Sequence, residues 1–173
     1  MVSYPLSNIL FLDIETVSQY PGYEELPESW KDLWSKKATS LLRSREDETT
    51  ESIYNRAAIY AEFGKIICIS CGILSGTGDN KKLLIKSFYG DQEPVLLLAF
   101  ADMLKKWSAG DTKYLCAHNG KEFDFPYLCR RFIINGIPLP GILNTAGKKP
   151  WEVNHIDTME LWKFGDFKNY TSL

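Results

Sequence analysis

The sequence lacks a strong charge of either sign. The 20 Lys and Arg side chains nearly balance the 22 Asp and Glu side chains, which leaves a formal net charge of −2 over 173 residues. Proteins that hold nucleic acid mainly by neutralising phosphates are strongly basic, so the composition excludes that mode of binding. A nucleic-acid substrate would have to be held by local features of a site.

Long apolar runs are also missing. No stretch approaches the roughly 18 consecutive apolar residues of a membrane-spanning helix, and residues 1–7 contain no basic segment followed by an apolar run. Cysteine is scarce, and the four present lie in apolar surroundings, as buried thiols do in a reducing compartment. They are Cys68, Cys71, Cys116 and Cys129. We expect a cytoplasmic protein without a membrane segment.

What remains is ordinary globular composition. Hydrophobic residues make up 45% and charged residues 24% of the chain, which argues against general disorder. The length lies within the usual range for one domain. We therefore expect residues 1–173 to form a single domain.

The order of the predicted elements indicates a mixed α/β sheet. Three strands come first, the last two joined as a hairpin, and helices then alternate with strands. This pattern predicts an antiparallel part joined to a βαβ-type parallel part, with helices on both faces. The predicted strands are 9–16, 65–75, 83–89, 113–118 and 153–157, and the predicted helices are 92–107, capped by Asp91, 125–135 and 159–164.

A long helical insertion, residues 17–63, separates the first two strands. Apolar residues recur at helical spacing after Pro27 and again from Ile53, which predicts two helices. The first carries Trp30 and Trp34 among several lysines. Such a helix can guide a nucleic-acid strand, but inward-packed Trp with solvated Lys is the commoner arrangement and is favoured.

The stretch around which the chain is organised is Ile9 to Thr16, where a buried strand carries Asp13 and Glu15 near its end. Residues two apart in a strand project to the same face, roughly 7 Å apart at their α-carbons. Two close carboxylates repel each other. They become useful when a hard divalent cation lies between them.

A second group of polar residues follows the predicted strand 113–118. Asn119 lies where that strand ends, and Asp124 lies just before a helix. Ligands bind at such carboxyl ends of sheet strands. Alone, Asp124 would be interpreted as a helix cap and Asn119 as a turn residue. Together with the acids of the first strand, a functional role is favoured for both.

These two motifs carry a resemblance to a known family. Asp13-Ile14-Glu15-Thr16, followed by Asn119-x-x-x-Phe123-Asp124, resembles the first two motifs of the DEDD superfamily of 3′–5′ exonucleases, which have the ribonuclease H-like fold. The segments Glu62 to Lys65 and His155 to Thr158 are similar to predicted exonucleases related to the proofreading domains of family B DNA polymerases.

The resemblance implies a mechanism and its residues. Asp13, Glu15 and Asp124, with a fourth acid, would be the catalytic residues and the ligands of two Mg²⁺ or Mn²⁺ ions about 4 Å apart. Ions of this kind activate a water and stabilise the leaving 3′ oxygen. The implied substrate is the single-stranded 3′ end of DNA or RNA, with replication or repair proteins as partners. The residues implied to contact it are Ile14, Thr16, Asn119 and Phe123.

The chain departs from the family pattern at its end. The third motif, Tyr-x-x-x-Asp or His-x-x-x-x-Asp, is not found, since His155 is followed at the corresponding position by Glu160. Asp157 is expected to hydrogen-bond locally. We therefore expect a chain truncated at its C-terminus and a poor exonuclease as it stands.

Three alternatives remain open at this point. The first is a catalytically inactive nucleic-acid-binding domain of the same fold. The second is an enzyme of another class on that fold, such as an endonuclease or a strand-transfer enzyme. The third is a calcium site formed by the acidic cluster.

Overall fold

The computed structural model describes residues 4–45, 47–76 and 78–166, which form five strands and four α-helices. The strands are β1 (Ile9–Ser18), β2 (Gly64–Ser75), β3 (Lys82–Tyr89), β4 (Tyr114–Ala117) and β5 (Ile156–Asp157). The helices are α1 (Glu28–Leu41), α2 (Glu93–Trp107), α3 (Asp124–Ile134) and α4 (Thr158–Lys163).

The strands form one mixed sheet in the order β3-β2-β1-β4-β5. β2 and β3 are an antiparallel hairpin, whereas β1 pairs in parallel with β4, and β4 in parallel with β5. The register places Ile9 opposite Tyr114 and Phe11 opposite Cys116. This arrangement confirms the predicted mixed α/β sheet and is consistent with the ribonuclease H-like fold.

Three predicted elements differ in detail. α2 begins at Glu93 with Gln92 at the cap position, so the prediction that Asp91 caps it is wrong. β5 spans two residues, shorter than the predicted 153–157, because only these two pair with β4. The second helix of the insertion is a 3₁₀ helix, Ser52–Ile59, whose i→i+3 bonds give three residues per turn.

Residues Thr16–Ile66 form one of two compact units. Its core is centred on Trp34, which is fully buried and donates its indole N–H to the Thr50 carbonyl at 2.8 Å. The ring lies edge-on to Tyr54 and Phe63, with centroids 5.1 and 5.0 Å away. Trp34 therefore belongs to a packed aromatic core, as the favoured interpretation of this helix predicted.

The second unit comprises the described residues of Met1–Glu15 and Ile67–Leu173. β4 lies in its centre, with Leu115, Cys116 and Ala117 all buried. Leu97, Phe100 and Leu104 of α2 have no exposed surface, as expected for one apolar stripe of an amphipathic helix. In the described part of the chain, no helix has both the length and the apolarity to cross a bilayer.

A buried ion pair joins α2 to α3 in this unit. Arg131 donates its Nε–H to Oε1 of Glu93 at 2.8 Å and its Nη2–H to Oε2, and both side chains are 5% exposed. The side-chain amide of Asn135 donates to the same carboxylate at 3.0 Å. Such a bidentate pair fixes the two helices in one relative position.

Arg131→Met tests the importance of this pair. The substitution leaves the Glu93 carboxylate buried without its main partner, so we expect the free energy of unfolding to fall by about 3–5 kcal/mol. Urea unfolding followed by circular dichroism measures the change. The matched control is Arg130→Met, at the neighbouring exposed position of α3, for which we expect less than about 0.5 kcal/mol. Equal effects of the two substitutions would contradict this role of the pair.

Candidate active site

Two acids project from the middle of β1. Asp13 and Glu15 are both exposed, whereas Ile14 between them is 6% exposed. Alternation along the strand therefore places both carboxylates on one face and the aliphatic side chain on the other. This is the arrangement predicted from the sequence.

The third acid, Asp124, lies next to the backbone of β1. It is the first residue of α3 and is 3% exposed. The backbone N–H of Ile14 donates to its carboxylate, while its Oδ1 is buried with no hydrogen-bond partner. Asp124 is thus a helix residue rather than the cap, since Phe123 occupies the cap position.

The environment of Asp124 disfavours its ionised form. Burial raises the pKa of this carboxyl from 3.8 to about 6, and the Asp13 carboxylate adds to the rise. The Asp157 carboxylate raises the pKa of Asp124 by a smaller amount. Hydrogen bonds from the backbone N–H groups of Asp124 and Ile14 lower this pKa. Glu15 is not among the charged groups that raise this pKa. Among the neighbouring charges, Asp13 therefore has the largest effect on the Asp124 carboxyl.

The turn after β4 sets where α3 begins. Asn119 adopts a positive φ of 58°, a conformation that Asn tolerates better than most residues. Its carbonyl accepts the Phe123 N–H at 3.0 Å. Gly120 follows, and a Cβ there would overlap that of Ala117 and come within 3.1 Å of the Phe125 ring. The backbone therefore turns back closely onto the end of β4.

The Asp157 carboxylate holds this turn in place. Its Oδ1 accepts the N–H of Asn119 at 2.8 Å and of Met159 at 2.9 Å, and its Oδ2 accepts the N–H of Lys121 at 3.1 Å. At 4% exposure, the side chain caps α4 and links β5 to the turn after β4. The local hydrogen-bonding predicted for Asp157 is confirmed.

The remaining predicted residues are Phe123, which directly precedes Asp124, together with Asn119 and Thr16. Phe123 is half-buried, and its ring centroid is 5.4 Å from that of Tyr127. Asn119 is also half-buried and lies between the Asp157 carboxylate and the start of α3. Thr16 is half-buried and belongs to the Thr16–Ile66 unit.

His155 packs against Phe125 in the first turn of α3. The ring is 8% exposed and packs on Phe125, with centroids 4.4 Å apart. Burial, with Lys121 and Lys148 adding to it, lowers the pKa of His155 to about 4. The imidazole is therefore neutral near pH 7 and serves as a packing group.

A divalent cation fits the donors at this site in part. Oδ1 of Asp124 is a buried carboxylate oxygen without a partner, and hard oxygen ligands suit Mg²⁺ and Mn²⁺. A cation between Asp13 and Asp124 would also relieve the repulsion that raises the Asp124 pKa. Within residues 4–45, 47–76 and 78–166, no three His, Cys, Asp or Glu side chains converge closely enough to form a ready ligand set.

Sequence reasoning did not find the contacts that Asp157 makes with the turn. Asp157 and Glu160 match a capping pattern at the start of α4, which is enough to predict the bond to Met159. The bonds to Asn119 and Lys121 depend on the parallel pairing of β4 with β5 and leave no local signal. The same holds for the salt bridge between Lys121 and Glu160, at 2.6 Å.

Comparisons with known proteins give structural matches alone. No protein-family model and no curated protein matches the chain. The zinc-bound form of the complex of E. coli exonuclease I with single-stranded DNA matches with a TM-score of 0.44 and 12% identity, over 90% of this chain. Apo exonuclease I matches with a TM-score of 0.46 and 12% identity, over 92%. The chain spans 28 and 30% of the length of these two proteins.

The raised pKa of Asp124 predicts a pH-dependent stability. The folded carboxyl binds its proton more tightly than the unfolded one, so its ionisation destabilises the fold as the pH rises from 3.8 to about 6. Asp124→Asn removes this ionisation. In EDTA at about pH 7.5, we expect the variant to be more stable than the parent by up to about 3 kcal/mol, and at about pH 4 by less than about 1 kcal/mol.

Urea unfolding at several pH values measures this difference. The control is Glu122→Gln, an exposed neighbour, for which we expect no comparable pH dependence. An Asp124→Asn variant that is less stable than the parent at every pH would show that the ionised carboxylate is not the destabilising group.

Asp157→Ala tests how the turn is held. It deprives three backbone N–H groups of their acceptor, so we expect a loss of about 3 kcal/mol in the free energy of unfolding, together with shifted amide resonances of Asn119 and Lys121. Glu160→Gln is the control, because its salt bridge with Lys121 is exposed and is expected to contribute less than about 1 kcal/mol. Unchanged amide resonances in the Asp157 variant would contradict the interpretation.

Proposed function

We propose that the chain is a metal-dependent nuclease domain that hydrolyses phosphodiester bonds from the 3′ end of a single-stranded nucleic acid. The observation that carries the proposal is the Asp124 carboxylate, buried with one oxygen unpartnered beside Asp13. A buried acid whose ionisation is disfavoured destabilises the fold unless a ligand uses it. Asp124 follows the carboxyl end of β4, and ligands bind at such strand ends in α/β sheets.

The cofactor that suits these residues is Mg²⁺ or Mn²⁺. Asp13 and Asp124 would hold the cation, with Glu15 on the same face of β1 as Asp13. When bound, the cation supplies positive charge next to the scissile phosphate and lowers the pKa of water. The site proposed from the sequence has two such ions and a fourth acid.

The substrate end is held by the chain's own residues. Asn119 presents a side-chain amide beside the start of α3, which suits the sugar or base of a terminal nucleotide. Phe123 offers a half-buried ring for stacking, and Ile14 and Thr16 border the acids on β1. With a net charge of −2, binding depends on these local contacts, which suits one terminal nucleotide better than a long duplex. We place the protein in the cytoplasm, with replication or repair proteins as partners.

One observation favours a second candidate, a nucleic-acid-binding domain without catalytic activity. The carboxylates that raise the Asp124 pKa are Asp13 and, more weakly, Asp157, and Asp157 already accepts three backbone N–H groups. Fewer charged ligands hold a divalent cation less tightly. The two candidates make the same prediction for binding of a single strand and differ in hydrolysis.

A 5′-labelled oligonucleotide with a 3′ overhang distinguishes the two. In Mn²⁺ or Mg²⁺ we expect the parent to shorten the overhang stepwise from its 3′ end, at the low rate expected of a site without its fourth acid. Asp13→Asn and Asp124→Asn are each expected to reduce the rate at least about 100-fold. Asp111→Asn, an exposed acid after α2, is expected to retain the parental rate.

Binding of the cation is measured independently of activity. Mn²⁺ is expected to raise the Tm of the parent and to have little effect on Asp124→Asn, since the variant lacks the buried carboxylate. If Asp13→Asn shortens the oligonucleotide at the same rate as an active parent preparation, the proposed site is wrong. A parent that binds the oligonucleotide without shortening it would establish the non-catalytic candidate, and a response to Ca²⁺ but not Mn²⁺ would indicate a calcium site.

A further inference from the structure

The edge strand β3 leaves several large apolar side chains in solvent. Leu83, Leu84, Ile85 and Tyr89 are 56, 52, 69 and 79% exposed. β3 is the last strand in the order and pairs with β2 alone in the described part of the chain. Its outer backbone N–H and C=O groups therefore form an edge that can accept another strand.

A cavity of about 510 Å³ lies beside this edge. Phe88 of β3 packs on Phe100 of α2, with ring centroids 5.7 Å apart. Leu84 and Lys86 share the face of β3 that Phe88 occupies, because alternate residues project to the same side. Both line the cavity, whose opposite wall is formed by Met103, Lys106 and Trp107 of α2.

The other face of β3 is equally open to an added strand. Leu83, Ile85 and Tyr89 alternate along it, opposite Leu74, Gly72 and Cys68 of β2. An incoming strand would thus meet apolar surface with its alternate side chains on both faces of the sheet.

The charge of the edge selects between possible occupants. Residues 81–89 contain Lys81, Lys82 and Lys86 and no acid. The cavity wall on α2 adds Lys106 and Asp102, whose charges offset each other, so the edge lysines leave a positive balance. A second copy of the chain, paired through the same strand, would bring lysines against lysines. An acidic segment is complementary to this edge and gains from the same charges.

We propose that β3 binds an extended segment of a partner protein in which apolar residues alternate with Asp or Glu. The segment adds a sixth strand to the sheet, and backbone hydrogen bonds along β3 provide affinity. The acidic residues of the segment lie on the α2 side, where they face Lys82 and, at the cavity, Lys86 and Lys106. Its apolar residues pack on Leu83, Ile85 and Tyr89 on the other face. The same lysines oppose unspecific pairing with other strands. The proposal is independent of the nuclease site.

A random library of 12-residue peptides, displayed on phage and selected on the folded chain, tests it. We expect the enriched peptides to alternate apolar and acidic residues. The most enriched peptide, labelled for fluorescence anisotropy, is expected to bind Ile85→Glu at least ten-fold more weakly than the parent. Tyr89→Glu, on the same face of β3, is expected to act in the same direction.

Ile133→Glu on α3 is the matched control. Ile133 and Ile85 are both 69% exposed, so the two substitutions introduce the same charge at equally exposed positions. We expect Ile133→Glu to bind the peptide within two-fold of the parent, and circular dichroism to show that the variants are folded. Asp13→Asn is also expected to bind as the parent does, which separates this surface from the nuclease proposal.

Several results would overturn the proposal. They are a selection without enrichment, enriched peptides without acidic residues, and equal binding by Ile85→Glu and the parent. Light scattering that finds a dimer of the parent, dissociated by Ile85→Glu, would assign the edge to a second copy instead.

Discussion

The parallel pairing of β1 with β4 is the constraint on which the candidate site depends. Parallel strands end on the same side of a sheet, so the register that sets Phe11 opposite Cys116 also brings Asp13 to the turn that follows β4. That turn delivers Asp124 to the backbone of Ile14. Two acids far apart in the sequence therefore meet without any local signal between them.

Two buried aspartates near the turn after β4 differ in their hydrogen-bond partners. Asp157 is 4% exposed and accepts three backbone N–H groups, so its charge is compensated and its role is to fix the turn. Asp124 is 3% exposed and keeps one oxygen unpartnered. The fold thus provides hydrogen-bond donors for the Asp157 carboxylate and leaves an oxygen of the Asp124 carboxylate without one. A buried oxygen of this kind is expected where a ligand binds it.

The sequence predicts elements and faces better than it predicts contacts between elements. The alternation along Ile9 to Thr16 places Asp13 and Glu15 correctly, and the hairpin of β2 and β3 follows from two β-rich runs around a turn. Neither the repulsion between Asp13 and Asp124 nor the bonds from Asp157 to the turn has a local pattern, because both arise from strand pairing. The exposure of β3 is also unpredictable, since three consecutive apolar residues, Leu83 to Ile85, are typical of a strand covered on both faces.

The position of β3 in the sheet allows the proposed partner and a nucleic-acid end to bind together. β2 lies between β3 and β1, and neighbouring strands are about 4.8 Å apart, so the edge lies about 10 Å from the strand that carries Asp13. A segment along β3 would therefore leave Asp13 of β1 and the end of β4 uncovered.

The ion pair between Glu93 and Arg131 connects α2, which forms a wall of the cavity, to α3, which begins at Asp124. Because the buried ion pair opposes a shift of α2 relative to α3, an occupant of the cavity would be selected by fit and charge against a wall that is held in place.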